Sequence, residues 1–312
     1  MVSLSSAFEN SSVSEYLRYW LNSYCEKRLA RNTIVGYKNN IERHIIPHIG
    51  DKLLFDLQPM DIEKMYSDLE LEGLCGTSVL YIHAVLRKAL NTAVKRRMLE
   101  CNVLDYVDAP HKSKFIASVL SCEDVLKLLN VCKGTEVYIP VLLAVTLGLR
   151  RGEVLGLKWS DVNYAAKMLS ISRSATCYKG EFVLSETKTK NSNRTLLMCD
   201  FVVCALKAWQ AIQCQNSIGL VVTHFSGALL SSTVLNNMYQ AALKAAKLPP
   251  IRFHDLRHTN ATIMLQQNIP AKIVSSMLGH SSVGITLDLY SHVLTEMQRP
   301  AVFAMQNILV RA

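Results

Sequence analysis

"TLGLRRGEVLGLKW", Thr146–Trp159, is where this chain changes character. Before it runs an apolar stretch, "VYIPVLLAVTLGL" (Val137–Leu149), whose 13 residues are too few to span a bilayer and suit a buried helix. After it come segments that alternate β-branched and polar residues: "KMLSISRS", "EFVLS" and "NRTLLM". These read as a small antiparallel sheet. At the junction, Gly148 reads as the turn that closes the helix. That puts Arg150 at a bend between two elements, a place where functional residues gather. Glu153, three residues on, is placed to hold an arginine by a two-point carboxylate contact. Taken alone, Arg150 also fits an ordinary surface arginine.

Upstream, the first 110 residues or so read as all-helical. Val13, Tyr16, Leu17, Trp20, Leu21 and Tyr24 fall on one apolar helix face. A second helix starts near Thr33 and runs through Ile34, Tyr37 and Ile41 to a break at Pro47. A third follows Pro59, with Asp61 in its first turn and Ile62, Met65 and Leu69 inward. A fourth spans Ser78 to Met98 and carries Arg87, Lys88, Lys95, Arg96 and Arg97 with no acidic residue. Such a run fits a solvated face, and equally a phosphate contact. "DAPHKSKFIA" (Asp108–Ala117), with Lys112 and Lys114, lacks helical periodicity and reads as a basic connector. "SCED" (Ser121–Asp124) resembles a helix N-cap box that opens a second domain.

Composition sets the frame. A length of 312 residues suggests two domains, and a 50% hydrophobic, 19% charged chain can bury cores in both. Thirty-four Lys and Arg against 25 Asp and Glu give a net charge of +9, which fits a polyanionic partner without singling one out. The N-terminus, "MVSLSSAFENSSVSEY", lacks a basic start followed by an apolar run, so no export signal is expected. Nine cysteines without any C-x-x-C then read as reduced thiols. There is no P-loop and no G-x-G-x-x-G. "HIIPH" (His44, His48) is interrupted by Pro47. In "HDLRH" (His254–His258) no Glu follows the first histidine, and Arg257 on the same turn would repel a cation. No metal and no cofactor is called for. His254 and Arg257, at i and i+3, share a helix face and make a good phosphate clamp.

Two more stretches hold candidates. "SETKTKNSNRTLLM" puts Lys188, Lys190 and Arg194 in a polar segment between two strands, as mobile cations on a β-hairpin tip. "LGHSSVGITLDLYSHV" (Leu278–Val293) carries His280 and Tyr290; on its own, Tyr290 reads as core packing. In chain order this gives an Arg in "TLGLRRGEVLGLKW", a Lys in "ETKTKNSNRTLLM", H-x-x-R in "FHDLRHT", a His in "LGH" and a Tyr in "TLDLYSHV". The set resembles the tyrosine recombinase (phage integrase) family, closest in style to integrases of phages and conjugative transposons. The resemblance spans about Gly148 to Val293, and the helical first domain is similar to the family's SAM-like core-binding domain.

The resemblance implies a mainly α fold with a small antiparallel β-sheet. Residues 1–110 would form the core-binding domain, 111–118 a basic linker, and 119–312 a catalytic domain with a C-terminal tail helix. It implies that Arg150, Lys188, His254, Arg257 and His280 surround a scissile phosphate and that Tyr290 attacks it. The physics agrees: guanidiniums neutralise the phosphodiester and the charge that develops on it. Free tyrosine, with a pKa near ~10, is only about 0.1% phenolate at neutral pH. Arg150 and Arg257 would favour the phenolate, and His254 would accept its proton. Lys188 is the general acid of choice, with Lys190 behind it, and Glu153 orients Arg150. Arg87, Lys88, Lys95, Arg96, Arg97, Lys112, Lys114, Lys190 and Arg194 are the expected DNA contacts.

The implied partners are double-stranded DNA core sites, a homotetramer in the synaptic complex, and accessory DNA-bending or directionality proteins, with no membrane. The implied location is the bacterial cytoplasm. His258, Thr259 and His292 take structural roles. The stretch departs from the family pattern at Asn260, where a bulkier apolar or aromatic residue is common, and at Gly284. The tail residues Val302, Phe303, Met305, Ile308 and Leu309 fit a short amphipathic helix that packs on a neighbouring protomer or on its own domain. The alternatives are a Xer-like resolvase, a type IB topoisomerase, and a non-catalytic DNA-binding or architectural protein on the same scaffold. The last has no need of Tyr290.

Overall fold

A computed structural model describes residues 10–113, 118–178, 181–186, 193–214 and 217–289, together with Phe303 and Gln306. The chain divides into two compact units, Met1–Phe115 and Ile116–Ala312, each with its own apolar core.

The first unit is helical. Its helices are α1 (Val13–Trp20), α2 (Arg31–Asn40), α3 (Ile46–Ile49), α4 (Pro59–Leu71) and α5 (Gly76–Lys95). Ser12 and Glu15 cap α1 reciprocally, at 3.2 and 2.9 Å, which satisfies amides that have no intrahelical partner. Val13, Tyr16, Leu17 and Trp20 are buried, as their spacing predicts. Beyond Trp20 the chain winds as a π-turn, Leu21–Cys25. Cys25 is buried, and Tyr24 sits at the edge of the core with its ring stacked near Trp20.

The expected break at Pro47 does not occur. A second π-turn, Ile41–Ile45, joins α2 to α3, and Pro47 lies inside the first turn of α3. Pro47 follows directly on the π-turn, where the regular i→i−4 ladder is already interrupted, so its missing N–H disturbs the helix less than in a regular interior. Helix α5 starts and stops earlier than the spacing predicts. Arg97, at φ +59°, ends it. The Met98 amide bonds the Ala93 carbonyl and the Arg97 amide bonds that of Val94, both at 2.9 Å. That is the helix-closing pattern in which glycine usually takes the left-handed position.

The second unit is mixed. Its helices are α6 (Cys122–Cys132), α7 (Tyr138–Leu147), α8 (Arg151–Gly156), α9 (Asp200–Ile212), α10 (Ser232–Ala245), α11 (Asp255–Gln266), α12 (Ala271–Leu278) and α13 (Val283–Leu289). Ser121 caps α6 by accepting the Asp124 amide. Helix α7 is buried nearly throughout, which explains its apolar run. No described helix is long and apolar enough to cross a membrane.

The strands are β1 (Val162–Asn163), β2 (Met168–Ile171), β3 (Arg173–Tyr178), β4 (Glu181–Glu186) and β5 (Arg194–Leu197). Among the described residues they pair antiparallel in two sets, β1-β2-β5 and a β3-β4 ribbon, where the sequence suggested one sheet. "KMLSISRS" is therefore split, with Ile171 ending one strand and Arg173 opening the next. Among the described residues β5 pairs with β2, Met168 opposite Leu197 and Ile171 opposite Arg194. The polar segment between β4 and β5, read from the sequence as a hairpin tip, lies outside the described residues except for Asn193.

Candidate active site

The site is built around the corner at Gly148. Leu147 ends α7, and Gly148 turns the chain at φ +66°. The last carbonyls of a helix have no partner within it. Asn260 of α11 supplies one, donating Nδ2 to Val145 at 2.9 Å and Thr146 at 3.0 Å. The Gly148 carbonyl in turn accepts Nη1 of Arg257, one helical turn before Asn260, at 2.7 Å. Helix α11 therefore grips the corner twice. Asn260, which departs from the family pattern, belongs to the frame that holds Arg257.

Arg150 emerges two residues later as the N-cap of α8. Its amide donates to Glu153 Oε2 at 2.9 Å and its Nη1 to Oε1 at 2.7 Å. Its Nη2 reaches the Gly279 carbonyl at 3.1 Å, beside His280. Glu153 is 3% exposed. Burial pushes its carboxyl up, but the hydrogen bond and charge of Arg194, with Arg150, outweigh that and hold it below the usual carboxylate range.

Arg194 lies inside, not on a mobile tip. It gives Nη2 to Glu153 Oε2 at 2.8 Å, Nη1 to Oε1 at 3.1 Å and Nε to the Met277 carbonyl at 2.7 Å. Its side chain is 7% exposed, so it braces α8 against α12 and is not free to meet DNA. The sequence reading of Arg194 as a solvated DNA contact is corrected by this ion pair.

Arg257 is 2% exposed on the first turn of α11. His254 is the N-cap residue of that helix; it is exposed at the surface although its neighbours crowd the ring, which meets His258 edge-on at 5.1 Å. Burial, then the charges of His258, Arg257 and Arg150, push His254 down to about 4. His280 is pushed down to about 4 as well, by burial and then by Arg257 and Arg150. The charges of both arginines thus act on both histidines, and the four residues outline a candidate phosphate pocket. Both imidazoles are neutral at pH 7, so the pocket carries two guanidinium charges, and a bound anion would raise the histidines again. Nδ1 of His280 meets the Thr286 hydroxyl at 2.8 Å.

Helix α8 lies directly on β3 because it carries no side chain where they touch. A Cβ on Gly152 would collide with Ser174 Oγ, and one on Gly156 would sit 2.9 Å from the Ala175 nitrogen. The i, i+4 glycines in "RGEVLGL" are the sequence signal for this approach, and it couples Arg150 to the β3-β4 ribbon. Lys188, Lys190, Tyr290 and His292 lie outside the described residues. So do Lys114 and the expected tail residues other than Phe303, which is helical and exposed.

In the first unit, Lys95 and Arg97 are exposed, as is Lys112. Arg87 is tied to Asp105 and to the Leu104 carbonyl, supplied from beyond the helix. Lys88 sits on Tyr37, its Nζ 3.2 Å from the hydroxyl, and Arg96 bonds the Tyr19 hydroxyl at 3.3 Å. Arg87, Lys88, Asn91 and Lys95 line a groove of about 370 Å³ with Tyr24 and His83.

Comparison with known proteins gives this pocket its setting. The phage integrase family matches residues 118–297, and the N-terminal SAM-like domain of phage integrases matches residues 12–69. The chain belongs to the phage integrase family. It is a tyrosine site-specific recombinase, an enzyme that breaks and rejoins DNA strands. A XerC-like tyrosine recombinase of Caldanaerobacter subterraneus is 25% identical, over 97% of this chain and 85% of that protein. The ICEBs1 integrase of Bacillus subtilis is 26% identical, over 88% and 78%. In fold, the chain is similar to the Tn1549 transposon integrase solved with a circular intermediate DNA, at a TM-score of 0.78 and 16% identity, over 93% of this chain and 99% of that one. It is also similar to lambda integrase, solved as a tetramer on a Holliday junction, at 0.70 and 21%, over 90% and 82%. The recombinase is mainly α with small antiparallel sheets, as the family resemblance implies.

Proposed function

We propose that this recombinase integrates or excises a mobile element at duplex DNA core sites, with Tyr290 as nucleophile and a covalent 3′-phosphotyrosyl intermediate. The observation that carries the reading is the geometry at the Gly148 corner: Glu153 holds Arg150, whose Nη2 reaches the Gly279 carbonyl beside His280, and the Gly148 carbonyl holds Arg257, one turn after His254. Two guanidiniums held by Glu153 and by the Gly148 carbonyl are preorganised for the nonbridging oxygens of a phosphodiester. Neutral His280 donates a hydrogen bond to the phosphate. Neutral His254 accepts the Tyr290 proton, helped by the anion that raises its basicity. The Tyr290 oxygen forms the new P–O bond, the P–O5′ bond breaks, and Lys188 protonates the leaving 5′-oxygen. Attack by a 5′-hydroxyl of a second duplex reverses the step without hydrolysis.

In this reading the first unit is the core-binding domain, with Lys95, Arg97 and Lys112 on phosphates. Strand exchange engages two duplexes, each cut twice, and hence four protomers. The test is a suicide substrate nicked near a core site. A covalent protein–DNA adduct is expected, and Tyr290→Phe abolishes it; an adduct in that variant rules Tyr290 out. A 5′-bridging phosphorothiolate is expected to rescue Lys188→Ala, because sulfur leaves with little protonation. Failure of the rescue moves the acid to Lys190 or elsewhere.

The XerC-like relative supports a second reading, a resolvase acting on two copies of one site. Recombination assays on identical against unlike core sites separate the two.

A further inference from the structure

Threonines on helices can return their hydroxyl to the carbonyl four residues back. Thr146 does so toward Leu142 at 2.6 Å, and Thr259 toward Asp255 at 2.9 Å. Thr286, on α13 and 0% exposed, meets the imidazole of His280 at 2.8 Å. The bond links two elements. His280 belongs by its backbone to the end of α12: Gly279 turns at φ +65°, and the His280 amide closes on the Ser275 carbonyl at 3.1 Å. Its ring is held from α13, whose last residue, Leu289, directly precedes Tyr290.

The chemistry of the contact is restricted. A neutral imidazole has one N–H and one bare nitrogen, and a hydroxyl can face either. If the His280 Nδ1 kept its proton and donated to Thr286, the bare Nε2 lone pair would face the phosphate and repel it. If Thr286 donates to Nδ1, the proton stays on Nε2, where it serves a phosphate oxygen. Arg150 and Arg257 already supply two positive charges near the ring. A neutral donor adds a hydrogen bond there without a third.

We infer that Thr286 is a positioning residue: its hydroxyl donates to Nδ1 of His280, holds the Nε2–H tautomer, and latches that phosphate donor to the segment leading to Tyr290. The inference rests on the reading of His280 as a phosphate-binding group. The latch makes one interaction report on two parts of the site. When α13 is seated, the ring is in the right tautomer and orientation; when α13 lifts, His280 loses both.

The test uses the full chain in four forms: wild type, Thr286→Val, Thr286→Ser and His280→Ala, with a Thr286→Val, His280→Ala double variant. Valine keeps the shape and removes the hydroxyl; serine keeps the hydroxyl. Single-turnover cleavage of the nicked suicide substrate is expected to slow on the order of tenfold to a hundredfold in Thr286→Val, the range seen when an orienting partner of a histidine is lost at metal sites. Thr286→Ser is expected within about threefold of wild type, and DNA affinity within about twofold in both, well inside the loss expected for valine. In the His280→Ala background, Thr286→Val adds no further loss. A purely structural threonine would slow both backgrounds alike, and that result overturns the inference.

A second measurement needs no variant. Ring-nitrogen NMR of the wild-type chain is expected to show His280 mainly as the Nε2–H tautomer, and a mainly Nδ1–H ring overturns the latch. If His280→Ala itself cleaves at the wild-type rate, the phosphate-binding role of His280 falls. If His280→Ala is slow and Thr286→Val is not, the latch alone falls.

Discussion

The Glu153 carboxylate takes a two-point ion pair from Arg194, Nη2 to Oε2 at 2.8 Å and Nη1 to Oε1 at 3.1 Å, with both side chains nine-tenths or more out of solvent. The residue that orients Arg150 is thus itself oriented from a strand 41 positions away in sequence. Removing one partner of a buried pair leaves the other charge uncompensated. Arg194→Ala is expected to lower the unfolding free energy by about 3–5 kcal/mol in denaturant melts. Arg194→Lys recovers only part of it, because an ammonium cannot make the two-point contact. A change of about 0.5 kcal/mol or less, as for a surface residue, would show that the pair does not form.

The contact of α8 with β3 makes a second prediction. In Gly156→Ala the new Cβ meets backbone on β3, 2.9 Å from the Ala175 nitrogen and 3.1 Å from the Ser174 carbonyl carbon, and backbone cannot step aside. A loss of about 1–3 kcal/mol is expected, with slower cleavage as Arg150 shifts. Gly36, within α2, meets only the Tyr81 hydroxyl at 3.2 Å. Gly36→Ala is expected to be neutral or to stabilise by up to about 1 kcal/mol through helix propensity. Thermal melts of the two variants should move in opposite directions or differ clearly in size.

Arg97 sets stability against binding. A left-handed backbone costs a non-glycine residue about 1 kcal/mol, and Arg97 holds φ +59° at the end of α5. Arg97→Gly is expected to raise the melting temperature. If Arg97 meets a phosphate, the same change weakens DNA binding alike across sequences and reduces the slope of log affinity against log salt by about 1. Equal salt slopes for the two proteins would remove Arg97 from the DNA contacts.

The histidines fix a pH dependence. His254 and His280 sit at about 4 in the folded chain against an ordinary 6.5, so folding favours their neutral forms. The unfolded chain then binds more protons between these values. The stability these two histidines contribute to the DNA-free protein is full above pH 6.5 and is lost as pH falls toward 4. Melting temperatures across that window should drop less steeply in His280→Gln. DNA or orthovanadate in the pocket is expected to raise the His280 titration point, as followed by NMR. A titration point unmoved by the anion would place phosphate away from His280.

Much of this was legible locally. The buried face of α1, the Ser121 cap, the turn at Gly148 and the placement of Glu153 beside Arg150 each depend on residues within a turn or two of one another. What escaped depends on distant partners. Arg194 follows a polar segment and reads as a loop cation, yet Glu153 and the Met277 carbonyl claim it. The one sheet expected becomes two sets of pairs among the described residues because strand pairing is not a local property: β5 pairs with β2. The π-turns left no mark in the spacing of apolar residues, and they carried the second helix through Pro47. Thr286 is ordinary in sequence; only the position of the His280 ring gives its hydroxyl a role.

The corner at Gly148 also shapes how this enzyme can change under selection. Its carbonyl anchors one guanidinium, and the backbone two residues on starts the other, so it acts as the gauge between them. An alanine there would collide with Leu278 and sit 3.0 Å from the Asn260 amide oxygen, at a φ that alanine resists. Smaller residues at 278 would relieve the collision but not the backbone strain, and Asn260 is needed to cap α7, so revertants selected from Gly148→Ala should mostly restore glycine. Arginine changes should be absent among them.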